Sequence, residues 1–309
     1  MSIGEARPAA SEPYDFGVRI DLHTHSRASD GTQAPAELVR AAAAAGLDAF
    51  ALTDHDTAHG WPEAAAEAES TGTTLVRGME ISTLHGARGV HLLAYLPDPT
   101  YPPLAAELDR ILEGRDSRVP AMVDRLRSLD IEITREDVKR ASGSATATGR
   151  PHVADALVTL GVVADRDEAF RLFLSAGRPA YANRYAAPLA GTIDLVAAAG
   201  GVTVIAHPWG RHERTTLDEA ALASLADRGL AGLEVDHQDH DPDTRDRLRS
   251  VAGNLGLVVT GSSDHHGAGK VGHDLGCNTT DPHQFARLLE LADAAAAASG
   301  REVPEVVNR

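Results

Sequence analysis

Cysteine is almost absent. Cys277 stands alone among 309 residues, so no intramolecular disulfide can form, and a reducing, cytoplasmic setting is the expectation. Long apolar runs are missing as well: no stretch reaches the about 18 residues that a membrane helix requires. Residues 1–17 carry Glu5, Glu12 and Asp15 without an apolar segment of signal type, and they read as a loose leader. Positive charge is scarce. Twenty-nine Lys and Arg face 45 Asp and Glu, a formal net charge of -16, which argues against holding a long nucleic-acid duplex. A nucleotide or a short RNA end stays compatible, because clustered metal ions can invert the local field of an acidic protein. No repeat of fixed period is present.

The remaining composition is that of a large α/β domain, with 43% hydrophobic residues. Strand-like runs occupy 18–26, 49–53, 73–82, 89–96, 201–206, 232–236 and 257–262. Helical runs at 35–45, 61–70, 189–199, 217–228, 243–254 and 281–299 alternate with them, which predicts βα units and a largely parallel sheet of seven strands. Residues 101–184 break the alternation. They hold one long or broken helix at 104–129, with Pro120 marking a kink, and helical stretches at 135–141, 151–160 and 167–175, with a polar loop over 142–149. The predicted organisation is a discontinuous barrel, 18–100 and 185–300, with a helical subdomain inserted at 101–184.

Chemistry-bearing residues gather where strands end. In Asp21-Leu22-His23-Thr24-His25-Ser26 the period of two points both imidazoles to one face, where they can chelate one ion. Other runs end in Asp54-His55-Asp56, Gly78-Met79-Glu80, Ala206-His207-Pro208 and Asp264-His265-His266. In a barrel, strand C-termini open on one face, so these groups would converge. His23, His25, Asp30, His55, Glu80, His91, His207, Asp264 and His266 form a nitrogen and oxygen set with no thiolate. It is too large and too hard for one structural zinc, and it suits two or three ions. Glu80 or Asp264 could bridge ions roughly 3.5–4 Å apart, as in displacement at phosphorus. His59, His85, His212, His237, His240, His273 and His283 fall outside the pattern and read as surface residues, with 236–241 as a solvated rim loop.

These motifs, in this order over about residues 18–290, resemble the polymerase-and-histidinol-phosphatase (PHP) family of metal-dependent phosphoesterases. The helical insert resembles the branch that includes 3',5'-nucleoside bisphosphate phosphatases and a 5'-to-3' exoribonuclease. The resemblance implies a distorted (β/α)7 barrel. It assigns His23, His25, Glu80 and Asp264 to one metal, Glu80, His91 and His207 to a second, and Asp30, His55 and His266 to a third. Several relatives have histidine where Asp30 stands, a difference that bears on the third ion. Manganese is the expected metal, with iron or zinc as alternatives. The implied reaction is attack of metal-activated hydroxide on phosphorus, with Glu80, His207 and Asp264 as catalytic residues and His207 as a candidate proton donor to the leaving group.

On the substrate side, Gly149-Arg150-Pro151-His152 at a helix start offers a guanidinium, an imidazole and a helix N-terminus to a phosphate. Arg178 and Arg184, flanking Tyr181, are a second candidate pair. The expected substrate is a small nucleotide such as a 3',5'-bisphosphate, or a short RNA 5' end, with no membrane partner. Three alternatives stay open: histidinol-phosphate phosphatase, a non-catalytic metal-binding regulatory PHP module, and an amidohydrolase. The last commonly uses a carboxylated lysine, and Lys139 and Lys270, the two lysines, stand at no clear strand end.

Overall fold

Short, largely buried strands, with every side chain buried at 20–24, 49–52 and 202–205, form the centre of the computed structural model, which describes residues 17–210 and 217–309. The expected leader, Gly17 apart, and His212 lie outside the described residues. The first half of the barrel runs β1 (Ile20–Thr24), α1 (Pro35–Ala44), β2 (Ala49–Leu52), α2 (Trp61–Thr71), β3 (Thr74–His85) and β4 (Arg88–Tyr95). Helices α3 (Pro102–Ser117), α4 (Val119–Arg127), α5 (Arg135–Ser142), α6 (Arg150–Thr159) and α7 (Arg166–Ala169) follow, and α7 runs into a π-helical turn, Phe170–Leu174. The chain then returns through β5 (Ala187–Pro188), α8 (Leu189–Ala198), β6 (Val202–Ile205), α9 (Glu219–Ala226), β7 (Gly232–Asp236), α10 (Pro242–Asn254), β8 (Val258–Gly261) and α11 (Pro282–Ser299).

The seven expected strands are present and pair in the order β1-β2-β3-β4-β6-β7-β8, with the two-residue β5 beside β3. The sheet nearly closes. His25 N–H donates to His265 O at 2.8 Å, and Ser263 N–H and Gly276 N–H donate to the two Asp21 carboxylate oxygens at 3.0 and 2.9 Å, tying β1 to the chain beyond β8. The sheet is largely parallel, as expected, with one exception. β4 runs antiparallel to both β3 and β6, because a tight turn at Gly86, with φ +59°, links β3 directly to β4 with no crossover helix. Among the described residues no helix is long and apolar enough to cross a membrane.

The helical run over 104–129, expected as one long or broken helix, is broken into two, since Pro120 stands in the first turn of α4, where its missing N–H costs nothing. Leu104, Leu108 and Ile111 of α3 pack into the barrel with Phe50, Leu52 and Met79. From Val119 onward a separate cluster forms, including Met122, Leu126, Val153, Leu157 and Leu174. Between the two, Arg115 reaches from α3 to Asp56. Its Nε donates to Asp56 Oδ2 at 2.6 Å and its Nη2 to Ser82 Oγ at 3.0 Å, while Asp56 Oδ1 accepts Ser82 N–H at 2.6 Å. Burial would raise the Asp56 carboxyl, but Arg115, Arg184 and His55 hold it below the usual carboxylate range.

Arg115→Ala leaves that carboxylate buried without its cation and should destabilise the fold by about 3–5 kcal/mol at neutral pH. A depressed carboxyl contributes stability above its unfolded pKa and loses it as pH falls through the folded value, so the deficit should shrink below about pH 4. Urea unfolding of both proteins at pH 7 and pH 3 measures the difference.

Candidate metal centre

Glu80 lies near the middle of β3, is 1% exposed, and directs its two carboxylate oxygens to different imidazoles. Oε2 is 3.4 Å from His23 Nε2, 3.2 Å from His25 Nε2 and 2.9 Å from His55 Nδ1. Oε1 is 2.7 Å from His91 Nδ1 and 3.3 Å from His207 Nε2. The antiparallel course of β4 explains how His91 arrives. Near its N-terminal end it pairs with Ser82 of β3, so an early position on β4 meets late positions on the parallel strands.

His23 and His25 point to one side of β1, their Nε2 atoms 3.0 Å apart, and Asp264 Oδ1 lies 3.5 and 3.4 Å from them. Metal–donor bonds of about 2.0–2.1 Å place tetrahedral ligands about 3.3 Å from one another, so these atoms and Glu80 Oε2 are spaced to hold one ion. Asp30 faces His55 Nε2 at 3.6 Å through Oδ2 and His266 Nε2 at 3.4 Å through Oδ1. His25 Nδ1, 3.9 Å from Asp30 Oδ1, is buried with no hydrogen-bond partner. The donor set therefore fits several divalent cations. All nine residues expected as ligands meet in this one cup.

Ring orientation is fixed from outside the cup. Glu234, fully buried on β7, accepts from His23 Nδ1–H at 2.9 Å and from His207 N–H at 2.7 Å, and bonds Ser262 Oγ. His266 Nδ1–H donates to Asp264 O at 2.9 Å. The two ring bonds leave Nε2 of His23 and of His266 for an ion, while the third holds the His207 backbone. The backbone is strained here too: His207 and Asp264 have φ of +30° and +53°, a region that side chains other than glycine rarely adopt.

The carboxylates demand positive charge. Burial would raise Glu80, yet His91, His55 and His23 hold it well below the carboxylate range. Asp30 and Asp264 are likewise held well below it, against burial, by His55 and by Lys270 respectively and by further imidazoles. Burial disfavours a charged His25, but its contacts with Asp264 and Glu80 raise it to about 9. His207 and His266 behave oppositely, burial pushing them down to about 3 and 4. A neutral imidazole is the form that ligates a cation.

Three histidines expected on the surface are buried: His237, His240 and His273. The loop after β7 folds back under Asp264 instead of lining a solvated rim. Asp239 N–H donates to His237 Nδ1 at 3.0 Å, so the proton sits on Nε2, which donates to Asp264 Oδ2 at 3.3 Å. His237 thus orients Asp264, and with Asp264 and His273 it forms a further buried group of metal-ligating type. Lys270, in the loop beyond β8, bonds the same carboxylate.

Above the cup lies a cavity of about 390 Å³ with Arg115, Arg118, Arg150, Arg166, Arg184 and Phe170 in its lining. Arg150 lies over the Phe170 and Tyr181 rings at 5.4 and 5.7 Å. Two substrate candidates lie elsewhere. Arg178 is exposed and outside the lining. His152 spends both ring nitrogens inside the fold, accepting Gly149 N–H at 2.9 Å and donating to Ser29 O at 3.1 Å. Arg115 and Arg118 escaped sequence reasoning, since a polar helix shows no sign of which arginines face a cavity.

A barrel that gathers a buried imidazole and carboxylate cup beneath an arginine wall has the constitution of a metal-dependent hydrolase of anionic esters. The PHP domain model matches residues 21–131. The 3',5'-nucleoside bisphosphate phosphatase of Chromobacterium violaceum is 37% identical over 285 residues, covering 89% of this chain and all of that one. A 5'-3' exoribonuclease of Haemophilus influenzae is 33% identical over 80% of this chain and 90% of its own. A structure from Bifidobacterium adolescentis, described as a candidate metal-dependent phosphoesterase, superposes with TM-score 0.84 at 38% identity, covering 88% of this chain and 96% of that one. A Chromobacterium violaceum structure described as an amidohydrolase with bound sulfate and no metal gives 0.78 at 35%, over 90% and 99%. The chain belongs to the PHP family of metal-dependent phosphoesterases.

Glu234→Gln removes the charge that fixes the His23 ring. It should lower divalent-cation affinity by about 10- to 100-fold with the fold retained, as read by chelator competition beside thermal unfolding.

Proposed function

We propose that the chain hydrolyses a phosphate monoester of a small nucleotide carrying two phosphates, of 3',5'-nucleoside bisphosphate type. The observation that carries this reading is the split character of the cavity. Its floor is the imidazole and carboxylate cup, and its wall is a group of guanidiniums. Arg118 is 6% exposed and its Nε has no hydrogen-bond partner. Burial and the neighbouring Arg150, Arg184 and Arg115 push its pKa down to about 8, and burial with Arg115 and Arg150 pushes Arg184 to about 10. Such a wall is stabilised by an anion separate from the one over the floor. The relative named as a 3',5'-nucleoside bisphosphate phosphatase supports the same reading.

In this reading His23, His25, Glu80 and Asp264 hold one ion, Glu80, His91 and His207 a second, and Asp30, His55 and His266 a third, with manganese the first choice. When bound, the ions supply Lewis-acid activation of water and of the phosphoryl group. The chain's own part is to set their spacing through Glu80, to fix the rings through Glu234, and to orient the substrate through Arg118, Arg150 and Arg184. Apolar Phe170 at the cavity edge gives a nucleoside a face to pack on.

The test is turnover of adenosine 3',5'-bisphosphate, histidinol phosphate and a short 5'-phosphorylated RNA by the manganese-loaded protein. The bisphosphate should be preferred; faster release from histidinol phosphate overturns the assignment. Arg118→Ala and Arg150→Ala should each raise KM for the bisphosphate by about 10-fold or more, the worth of a charge-assisted hydrogen bond, with metal content unchanged. Arg178→Ala should leave KM where it is.

A further inference from the structure

We infer that the insert positions the third cation set by clamping the two peptide planes on either side of Asp30. The inference rests on the proposal that Asp30, His55 and His266 share an ion. Asp30 lies in the loop beyond β1, off the sheet ladder that fixes His23, Glu80 and His91. Three donors from the insert meet three successive carbonyls of that loop. Thr146 N–H donates to Ala28 O at 3.0 Å, His152 Nε2–H to Ser29 O at 3.1 Å, and Arg166 Nη1–H to Asp30 O at 3.0 Å. The Ser29 carbonyl belongs to the peptide before Asp30 and the Asp30 carbonyl to the peptide after it. Holding both fixes φ and ψ, leaving the short aspartate side chain two torsions with which to aim its carboxylate.

The clamps are themselves anchored. Gly149 N–H bonds His152 Nδ1, so the donated proton sits on Nε2. Asp155 grips Arg166 through two bonds of 2.5 and 2.6 Å. Arg166 also lies against Gly269, where an added Cβ would come within 2.3 Å of its Nη1, and Gly269 N–H bonds His266 O at 3.3 Å. One guanidinium thus touches both loops that supply Asp30 and His266. The barrel side of the Asp30 loop is held by Asp54, which accepts from Ser26 N–H at 2.8 Å and Ser29 Oγ–H at 2.7 Å. The insert completes a support that the barrel begins, and Arg166 and His152 are positioning residues for the third ion alone.

Metal-free protein titrated with Mn²⁺, read by calorimetry and by metal content after dialysis, tests this. Wild type should take three ions. Arg166→Ala and His152→Ala should each weaken one ion by about 10- to 100-fold and leave the other two within about twofold, and Arg166→Lys should recover part of the loss. Asp155→Asn, which loosens the guanidinium without removing it, gives the same selective weakening should Arg166→Ala not fold. Equal affinity for the third ion in these variants overturns the inference and leaves the cation sets standing, as does parallel weakening of all three ions with a lower thermal midpoint. A wild type that never takes a third ion removes the Asp30, His55 and His266 set and the inference with it.

Discussion

A carboxylate in the middle of a buried strand is costly unless cations surround it, and the molecule is arranged around that requirement at Glu80. Five imidazoles lie within 3.4 Å of its two oxygens. Because the oxygens face different rings, no single counter-ion can satisfy them. The sheet must deliver donors from β1, β2, β4 and β6 to one level, and the departures from regular geometry occur where it does so. β4 reverses direction, and the chain just beyond β6 and β8 takes a positive φ at His207 and Asp264. A regular parallel barrel would have carried His91 to the opposite end.

Outside the cup, the groups that hold the donors are as buried as the donors. Glu234 holds His23 and the His207 backbone, His237 holds Asp264, and Asp56 joins Ser82 to Arg115. Each uses a charge or a fixed tautomer, so the rings and carboxylates of the cup keep little rotational freedom. Pre-set ligands give high cation affinity because little conformational entropy remains to be lost on binding.

How much of this could be read from the sequence follows from how local each signal is. The strands and their terminal ligands were legible because apolar runs ending in His or Asp carry both facts within a few residues. His91 carries the wrong local signal, opening a strand where His23, His25, His55 and His207 lie at or just past the ends of theirs, and only the hairpin at Gly86 makes it a partner of Glu80. His237 and His273 were misread for a related reason. Their surroundings are polar in sequence, but the polar groups are one another's hydrogen-bond partners beneath Asp264. His152 was half legible: the Gly-Arg-Pro-His run does start a helix and does carry Arg150 into the cavity, while the histidine three residues after the cap turns back to bond the cap's own N–H.

Charge distribution ties the parts together. A chain with net charge -16 presents to its ligand a wall made from arginines of the insert and its flanks, opposite a floor whose carboxylates call for divalent ions. A substrate with one compact phosphate would be attracted to the loaded floor and leave the wall unneutralised. One with two phosphates separated by a sugar spans both, and the cavity volume of about 390 Å³ lies toward the lower end of the range typical for small-molecule sites. A long nucleic acid would have to extend past this enclosure over an acidic surface that repels it. On the proposed function, the same field that makes the wall effective would set the upper size of what reaches it, and selectivity for short, densely charged esters would come from the contrast between the site and the rest of the molecule.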